Sequence, residues 1–385
     1  MDVTKRSDSG SGPRVLHVVA TGARRGGEIF ASDLIGALAH REVVQHVAIL
    51  RACGEPAVDF QAPVTGLTGH EAGRPASAVD PRILWGLRKT LEFLSPDVLL
   101  AHGGEPLKYS IASIVGHRVP VIYRRIGSIR GRTALRGMRL RVYRSLMRRA
   151  STVVAVADAI REETIGEFRV PRSRVVTIPN AIDADRVRPH LDRAAVRASM
   201  GISSTAPLIV SVGALTWEKD PLAQLEVVDA VMGTRPDARF VMVGDGPLRR
   251  TVETAVRASE HGDRVHLTGA RDDVGDILAA SDVLLLNSRS EGMPAILIEA
   301  GMLGLPTVAS AVGGVPEVVE HGVTGLLCAP DDTTAMASSL IELLDDARRR
   351  RSLGRLARAR CLARFEIRPV ADRYLEILRR RSEGR

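Results

Sequence analysis

Aromatic residues make up only 3% of this 385-residue chain, cysteine occurs three times, and no apolar run reaches the roughly 20 residues that a membrane span requires. Each scarcity removes a class of protein. Without a long apolar run the chain is not an integral helical membrane protein. Cys53, Cys328 and Cys361 are odd in number and far apart, which provides neither a disulfide framework nor metal-ligand spacing. They read as small buried apolar residues. No basic stretch is interleaved with the aromatics on which single-stranded nucleic acid stacks, so no nucleic-acid partner is expected. Residues Met1 to Gly12 are polar, carry Asp2 and Asp8 and lack an apolar signal-peptide core. They read as a disordered tail, with the cytoplasm as the default compartment.

What is present is a globular composition, 45% hydrophobic and 26% charged, with a net charge of +9 that favours anionic partners. The length fits two domains, and two domains imply a cleft. Arg14 to Ala20 reads as a short buried strand leading through a glycine-containing loop into a helix. Apolar strands near 43–50, 98–101, 119–123 and 153–156 continue the alternation. A second start follows at Pro207 to Gly213, with a helix from about Pro221 and strands near 240–243, 265–267, 283–286 and 307–309. Short apolar strands alternating with helices predict an α/β protein of two Rossmann-like domains, each built on a parallel sheet covered on both faces. The expected division is a tail over 1–12, an N-terminal acceptor domain over 13–185, a C-terminal donor domain over 190–365, and a final helix within 366–385. That helix is expected to pack back on the first domain.

The sharpest local feature is Glu291-Gly-Met-Pro-Ala-Ile-Leu-Ile-Glu299, directly after the strand at 283–286. Pro294 suits a first helical turn, leaving the N–H groups of Ala295 and Ile296 open. A helix N-terminus with open amides binds anions. Carboxylates on either side suit a sugar nucleotide, whose hydroxyls need acceptors close to its phosphates. Two solvated glutamates near a helix start would be the plainer explanation.

With its surroundings this element resembles glycosyltransferase family 4 of the GT-B fold, from about Arg14 to Leu378. Gly26-Gly27-Glu28 is similar to the family's glycine pair, and Asp97-Val-Leu-Leu-Ala-His102 to its strand ending in an active-site histidine. Ile178-Pro-Asn-Ala-Ile-Asp183, Gly213-Ala-Leu-Thr-Trp-Glu-Lys219, Gly244-Asp-Gly-Pro247 and Gly313-Gly-Val-Pro-Glu317 follow in the family's order. The resemblance implies two Rossmann-like domains facing a central cleft and a retaining transfer of sugar from a nucleotide-diphosphate donor. Gly26, Gly27 and Lys219 would meet the donor phosphates, with Met293, Pro294, Ala295 and Ile296 lining the same site. Glu291 would hold the transferred sugar, Glu299 the ribose, and His102 a sugar hydroxyl or a developing charge.

One departure is Ala214, where many members carry an arginine. Arg124 or Arg125, at the end of the strand 119–123, is a candidate replacement from the facing domain. No Asp-x-Asp follows a strand in a suitable loop, and Asp272-Asp273 and Asp331-Asp332 read as helix caps. No metal is therefore expected, since helix amides and Lys219 can stabilise a leaving diphosphate. A nucleotide-sugar epimerase of the same fold, or a donor-binding protein without turnover, are the alternatives; release of nucleoside diphosphate separates them from transfer. The arginine-rich segment 123–149 fits either a domain helix packed by its apolar face or a basic helix on anionic lipid, the second implying a membrane-associated acceptor.

Overall fold

The structure, a computed structural model, describes residues 12–52, 54–67, 79–128 and 137–383. The expected tail up to Ser11, Cys53 and the start of the basic helical period near Leu135 lie outside the described residues.

The first domain runs β1 (Arg14–Thr21), α1 (Gly26–Leu38), β2 (Val44–Arg51), β3 (Val64–Gly66), α2 (Pro81–Leu94), β4 (Val98–His102) and α3 (Gly104–Ser113). It continues with β5 (Val121–Arg125), α4 (Gly137–Arg149), β6 (Thr152–Ala155), α5 (Asp158–Gly166) and β7 (Val175–Thr177). These strands form one parallel sheet in the order β3-β2-β1-β4-β5-β6-β7. After the crossing come α6 (Arg193–Ser199), β8 (Leu208–Val212), α7 (Pro221–Thr234), β9 (Arg239–Val243), α8 (Arg249–Ala258) and β10 (Val265–Gly269). Then follow α9 (Val274–Ala280), β11 (Val283–Leu286), α10 (Ala295–Met302), β12 (Thr307–Ser310), α11 (Val315–Val318) and β13 (Gly325–Cys328). The chain ends in α12 (Thr333–Asp345), α13 (Ala347–Arg364) and α14 (Ile367–Glu383). The second sheet is also parallel, in the order β10-β9-β8-β11-β12-β13.

Strands β4, β5, β6, β11 and β12 are buried along their whole length, as expected of central strands covered by helices on both faces. Three further strands, β3, β7 and β13, are short pieces the expected strands did not include. β3 is a three-residue edge strand with two exposed positions, so pairing rather than hydrophobicity defines it.

Helix starts follow local chemistry. Asp80 caps α2 before Pro81, and Asp220 caps α7 before Pro221, each carboxylate accepting from an amide of the first turn. Asp332 likewise caps α12, whereas Asp273 stands at the start of α9 with its carboxylate on Arg271 instead of on helix amides. Arginine competes successfully there because its donors carry charge.

The chain crosses between the sheets twice, and the two crossings pair. Ile182 donates to the Phe365 carbonyl at 2.9 Å, and Ile367 donates to the Ile182 carbonyl at 3.1 Å. Beyond this seam α14 returns to the first sheet. Its Val370, Tyr374 and Leu378 share one core with Phe30 and Leu34 of α1 and with Val98, Leu100 and Ile122 of the sheet. The Phe30 and Tyr374 rings lie 5.8 Å apart. Cys328 and Cys361 are buried and free, and burial pushes the Cys361 thiol up to about 12.

Candidate functional site

The two sheets approach each other through the loops at their carboxyl ends, where open α/β sheets place ligands. The loop after β5 meets the loop after β11: a Cβ added to Gly292 would lie 2.0 Å from the Ile126 carbonyl oxygen. Only glycine permits that approach. The loop after β6 meets the loop after β12, where Gly314 donates to the Gly292 carbonyl at 2.6 Å and packs on Ala157. From α11, which follows that loop, Glu317 reaches over to α5 and accepts from the amides of Asp158 and Ala159 at 2.8 and 3.3 Å. Arg24, after β1, pairs with Asp272, after β10, at 3.2 Å.

Helix α10 opens on this junction. Pro294 is its N-cap rather than a first-turn residue, and it has no side chain to cap the helix. Among the described residues no hydrogen-bond partner is recorded for the amides of Ala295 and Ile296. Met293 and Ile296 are buried beside them. Across the junction, Gly26 and Gly27 form the first turn of α1, which also lacks a side-chain cap; they are helix residues and not a tight turn. The space where a Gly26 side chain would stand is open to beyond 4 Å, and a Cβ added to Gly27 would lie 3.5 Å from Cδ1 of Ile126. Two uncapped helix starts, one in each domain, therefore present partial positive charge to one region.

The charged side chains are held against one another. Lys219 pairs with Glu291, whose side chain is 9% exposed. Glu299 accepts from Arg186 at 3.1 Å, and the same guanidinium donates through Nε to both oxygens of Asp33 at 3.1 and 3.2 Å. Burial lifts Asp33 from 3.8 to about 6, against the opposing pull of Arg186.

His102 ends β4 but lies beneath the surface. Its Nε2 is 3.2 Å from Nδ1 of His17, with the rings stacked at 5.5 Å, and no partner among the described residues reaches its Nδ1. Burial, then His17 and Arg124, hold its pKa well below 6.5; burial lowers His17 to about 4. Both imidazoles are neutral at pH 7, so His102 is a hydrogen-bonding group and a weak base.

The two arginines proposed as phosphate clamps require correction. Arg125 is fully buried in an ion pair with Glu163, bonded also to Thr164 and the Ile160 carbonyl, with Phe168 under its guanidinium at 4.7 Å. Glu163 in turn accepts from Ser128 at 2.6 Å. Arg124 lies 3.6 Å over the Phe30 ring and donates to Asn180, whose amide donates to the Met293 carbonyl. Both guanidiniums are buried; Arg125 is committed to its own domain, while Nε and Nη1 of Arg124 have no hydrogen-bond partner among the described residues. Arg124 braces the interdomain segment against the loop after β11.

On the basic helix α4, Leu140, Tyr143, Leu146 and Met147 pack on the core, leaving the arginines outward with Met138 and Val142. No helix among the described residues is long and apolar enough to cross a membrane, and no group of three or more His, Cys, Asp or Glu is placed to hold a metal ion. His17, Asp33, Asn180 and Arg186 carry much of the site's wiring, and spacing pointed to none of them. Only the resemblance of the segment 178–183 drew attention to Asn180.

Comparison with known proteins agrees with this geometry. Residues 24–186 match the model described as Glycosyltransferase Family 4, and residues 192–360 the model described as Glycosyl transferases group 1. The chain is 34% identical over 227 residues to the N-acetyl-alpha-D-glucosaminyl L-malate synthase of Bacillus anthracis, a match covering 58% of each chain. It is 29% identical over 337 residues to the alpha-maltose-1-phosphate synthase of Mycolicibacterium smegmatis, covering 83% of this chain and 77% of that one. Among solved structures, Anabaena HepE in complex with UDP and glucose superposes with a TM-score of 0.81 at 22% identity, over 95% of this chain and 99% of that one. With one matching model on each sheet and the facing-sheet architecture common to both, the chain belongs to glycosyltransferase family 4 and has the GT-B fold.

Proposed function

We propose that the protein transfers a sugar from a nucleotide-diphosphate donor to an acceptor hydroxyl, with retention of anomeric configuration and without a metal ion. One observation carries the reading: the open amides of α10 stand between the Lys219–Glu291 pair and Glu299, facing the uncapped start of α1. Amides and lysine suit a diphosphate, and the flanking carboxylates suit the hydroxyls on either side of it. HepE, as a complex with UDP and glucose, supports a donor of this chemical class.

In this reading the bond from the anomeric carbon to the diphosphate oxygen breaks while the acceptor oxygen bonds to the same face. The acceptor proton passes to the departing phosphate oxygen, whose negative charge the helix amides and Lys219 stabilise. Glu291 holds sugar hydroxyls and is not the nucleophile. Neutral His102 contributes a hydrogen bond rather than a proton.

Incubation with a panel of uridine and guanosine diphosphate sugars and candidate acceptors tests this reading, following both nucleoside diphosphate and glycosylated product. Transfer should persist in EDTA. Loss of activity in EDTA with recovery on adding Mg²⁺ or Mn²⁺ would overturn the metal-free mechanism. Nucleoside diphosphate release with no glycosylated product would point to a reaction other than transfer.

A further inference from the structure

A single guanidinium ties the first domain, the interdomain segment and the donor helix together. Arg186 lies in the crossing between the sheets, Asp33 on α1 and Glu299 on α10. Nε–H of Arg186 is shared between both oxygens of Asp33 while Nη2 donates to Glu299, so the planar guanidinium is held between the two carboxylates at two of its nitrogens. That bond occupies Oε1 of Glu299; among the described residues no donor is recorded for Oε2. A long carboxylate side chain on a helix has several rotamers, and fixing one oxygen selects the direction of the other.

We propose that Arg186, anchored by Asp33, is a positioning residue that aims Glu299 at the ribose of the donor. The inference rests on the donor-site reading above and adds to it how ribose recognition depends on the domain crossing. Asp33 fits this role better than a purely structural one. Burial raises its pKa to about 6 even beside Arg186, so keeping it ionised at pH 7 works against folding, as expected when a buried charge is retained for orientation. The two ion pairs are also reached from opposite domains, so Glu299 is held as described only when the domains are together.

The test uses the full chain, with UDP and GDP as probes, each beside its 2′,3′-dideoxy counterpart, and calorimetry as the readout. The parent should bind at least one ribonucleotide about tenfold more tightly than its dideoxy form, the effect of one or two hydrogen bonds. Glu299→Ala should abolish that preference by weakening only the ribonucleotide. Arg186→Ala should do the same, and the double variant should lose no more than either single one. Arg186→Lys keeps the charge but cannot bridge two carboxylates in one plane, so it should also lose most of the preference. It decides the question if the alanine variant fails to fold.

The outcomes separate the two ideas. If Glu299→Ala abolishes the preference while Arg186→Lys retains it, or if Arg186 substitution weakens both nucleotide forms equally, the positioning role is wrong and the donor site stands. If the parent shows no preference, or Glu299→Ala leaves it intact, the ribose assignment fails and the proposal falls with it.

Discussion

The two sheets share a parallel plan but treat charge differently. Among the described residues, the first domain buries Glu28, Arg124, Arg125 and Glu163 together with the neutral His17 and His102, while the second buries Arg197, Asp276 and Glu299. The contrast is sharpest on strands that hold the same place in their sheets: β5 ends in two fully buried arginines, whereas β12 is Thr-Val-Ala-Ser and carries no charge. The second half presents backbone amides and a few side chains from loops. The other half spends its charges internally, on bracing. A strand end can thus carry buried charge for bracing in one sheet and none at the same place in the other.

The largest effect should come from breaking the internal half of this comparison. Arg125→Ala leaves Glu163 buried without its cation, a change that costs about 3–5 kcal/mol. A large drop in melting temperature is expected, with nucleotide affinity unchanged when measured well below the transition. The reverse pattern, normal melting with weakened nucleotide binding, would restore Arg125 as a phosphate ligand and erase the contrast between the domains.

That correction also shows what could be read in advance. The β-loop-α alternation and both sheets' main strands were legible because a buried parallel strand is written locally, as a short apolar run. The Glu-x7-Glu element was legible for a similar reason: one loop and one helix fix its spacing, so its parts sit together wherever the loop goes. Arg186 was not, because its partners lie 113 and 153 residues away and no period links them. Arg124 and Arg125 misled because a charged residue at a strand end normally signals exposure. Their partners Asn180 and Glu163 come from segments 56 and 38 residues on, and only the fold brings them into reach.

On the presented half, two glutamates from one motif should give different defects. Glu291→Ala should lower kcat by about 10²-fold, as for loss of one preorganised transition-state contact, because in the proposed reading it holds the sugar whose charge and shape change during transfer. Glu299→Ala should raise the donor KM by roughly tenfold with little change in kcat, because a ribose contact acts equally in ground and transition states. Steady-state kinetics checked against melting curves would decide this. Parent-like kinetics in both variants would remove the motif from the site, and equal kcat losses would dissolve the distinction between sugar and ribose.

The smallest expected effect tests the place where the two strategies meet. Helix α5 belongs to the first domain and begins after Ala157, which has no side chain to cap it, and Asp158 turns its own carboxylate to the Thr177 hydroxyl at 2.6 Å. The cap arrives from the other domain as Glu317, 159 residues further on. A carboxylate at a helix N-terminus satisfies open amides and faces the positive end of the dipole. Because this cap exists only while the domains are together, its loss should act on their approach as well as on α5. Glu317→Ala should cost about 1 kcal/mol in the closed form, while Glu317→Gln, which keeps an acceptor oxygen, should cost less. The alanine variant should melt slightly earlier and show a larger radius of gyration by small-angle X-ray scattering, with the glutamine variant between it and the parent. If all three scatter and melt alike, Glu317 does not bridge the domains in solution, and the loops that meet at Gly292 and Gly314 hold them together without it.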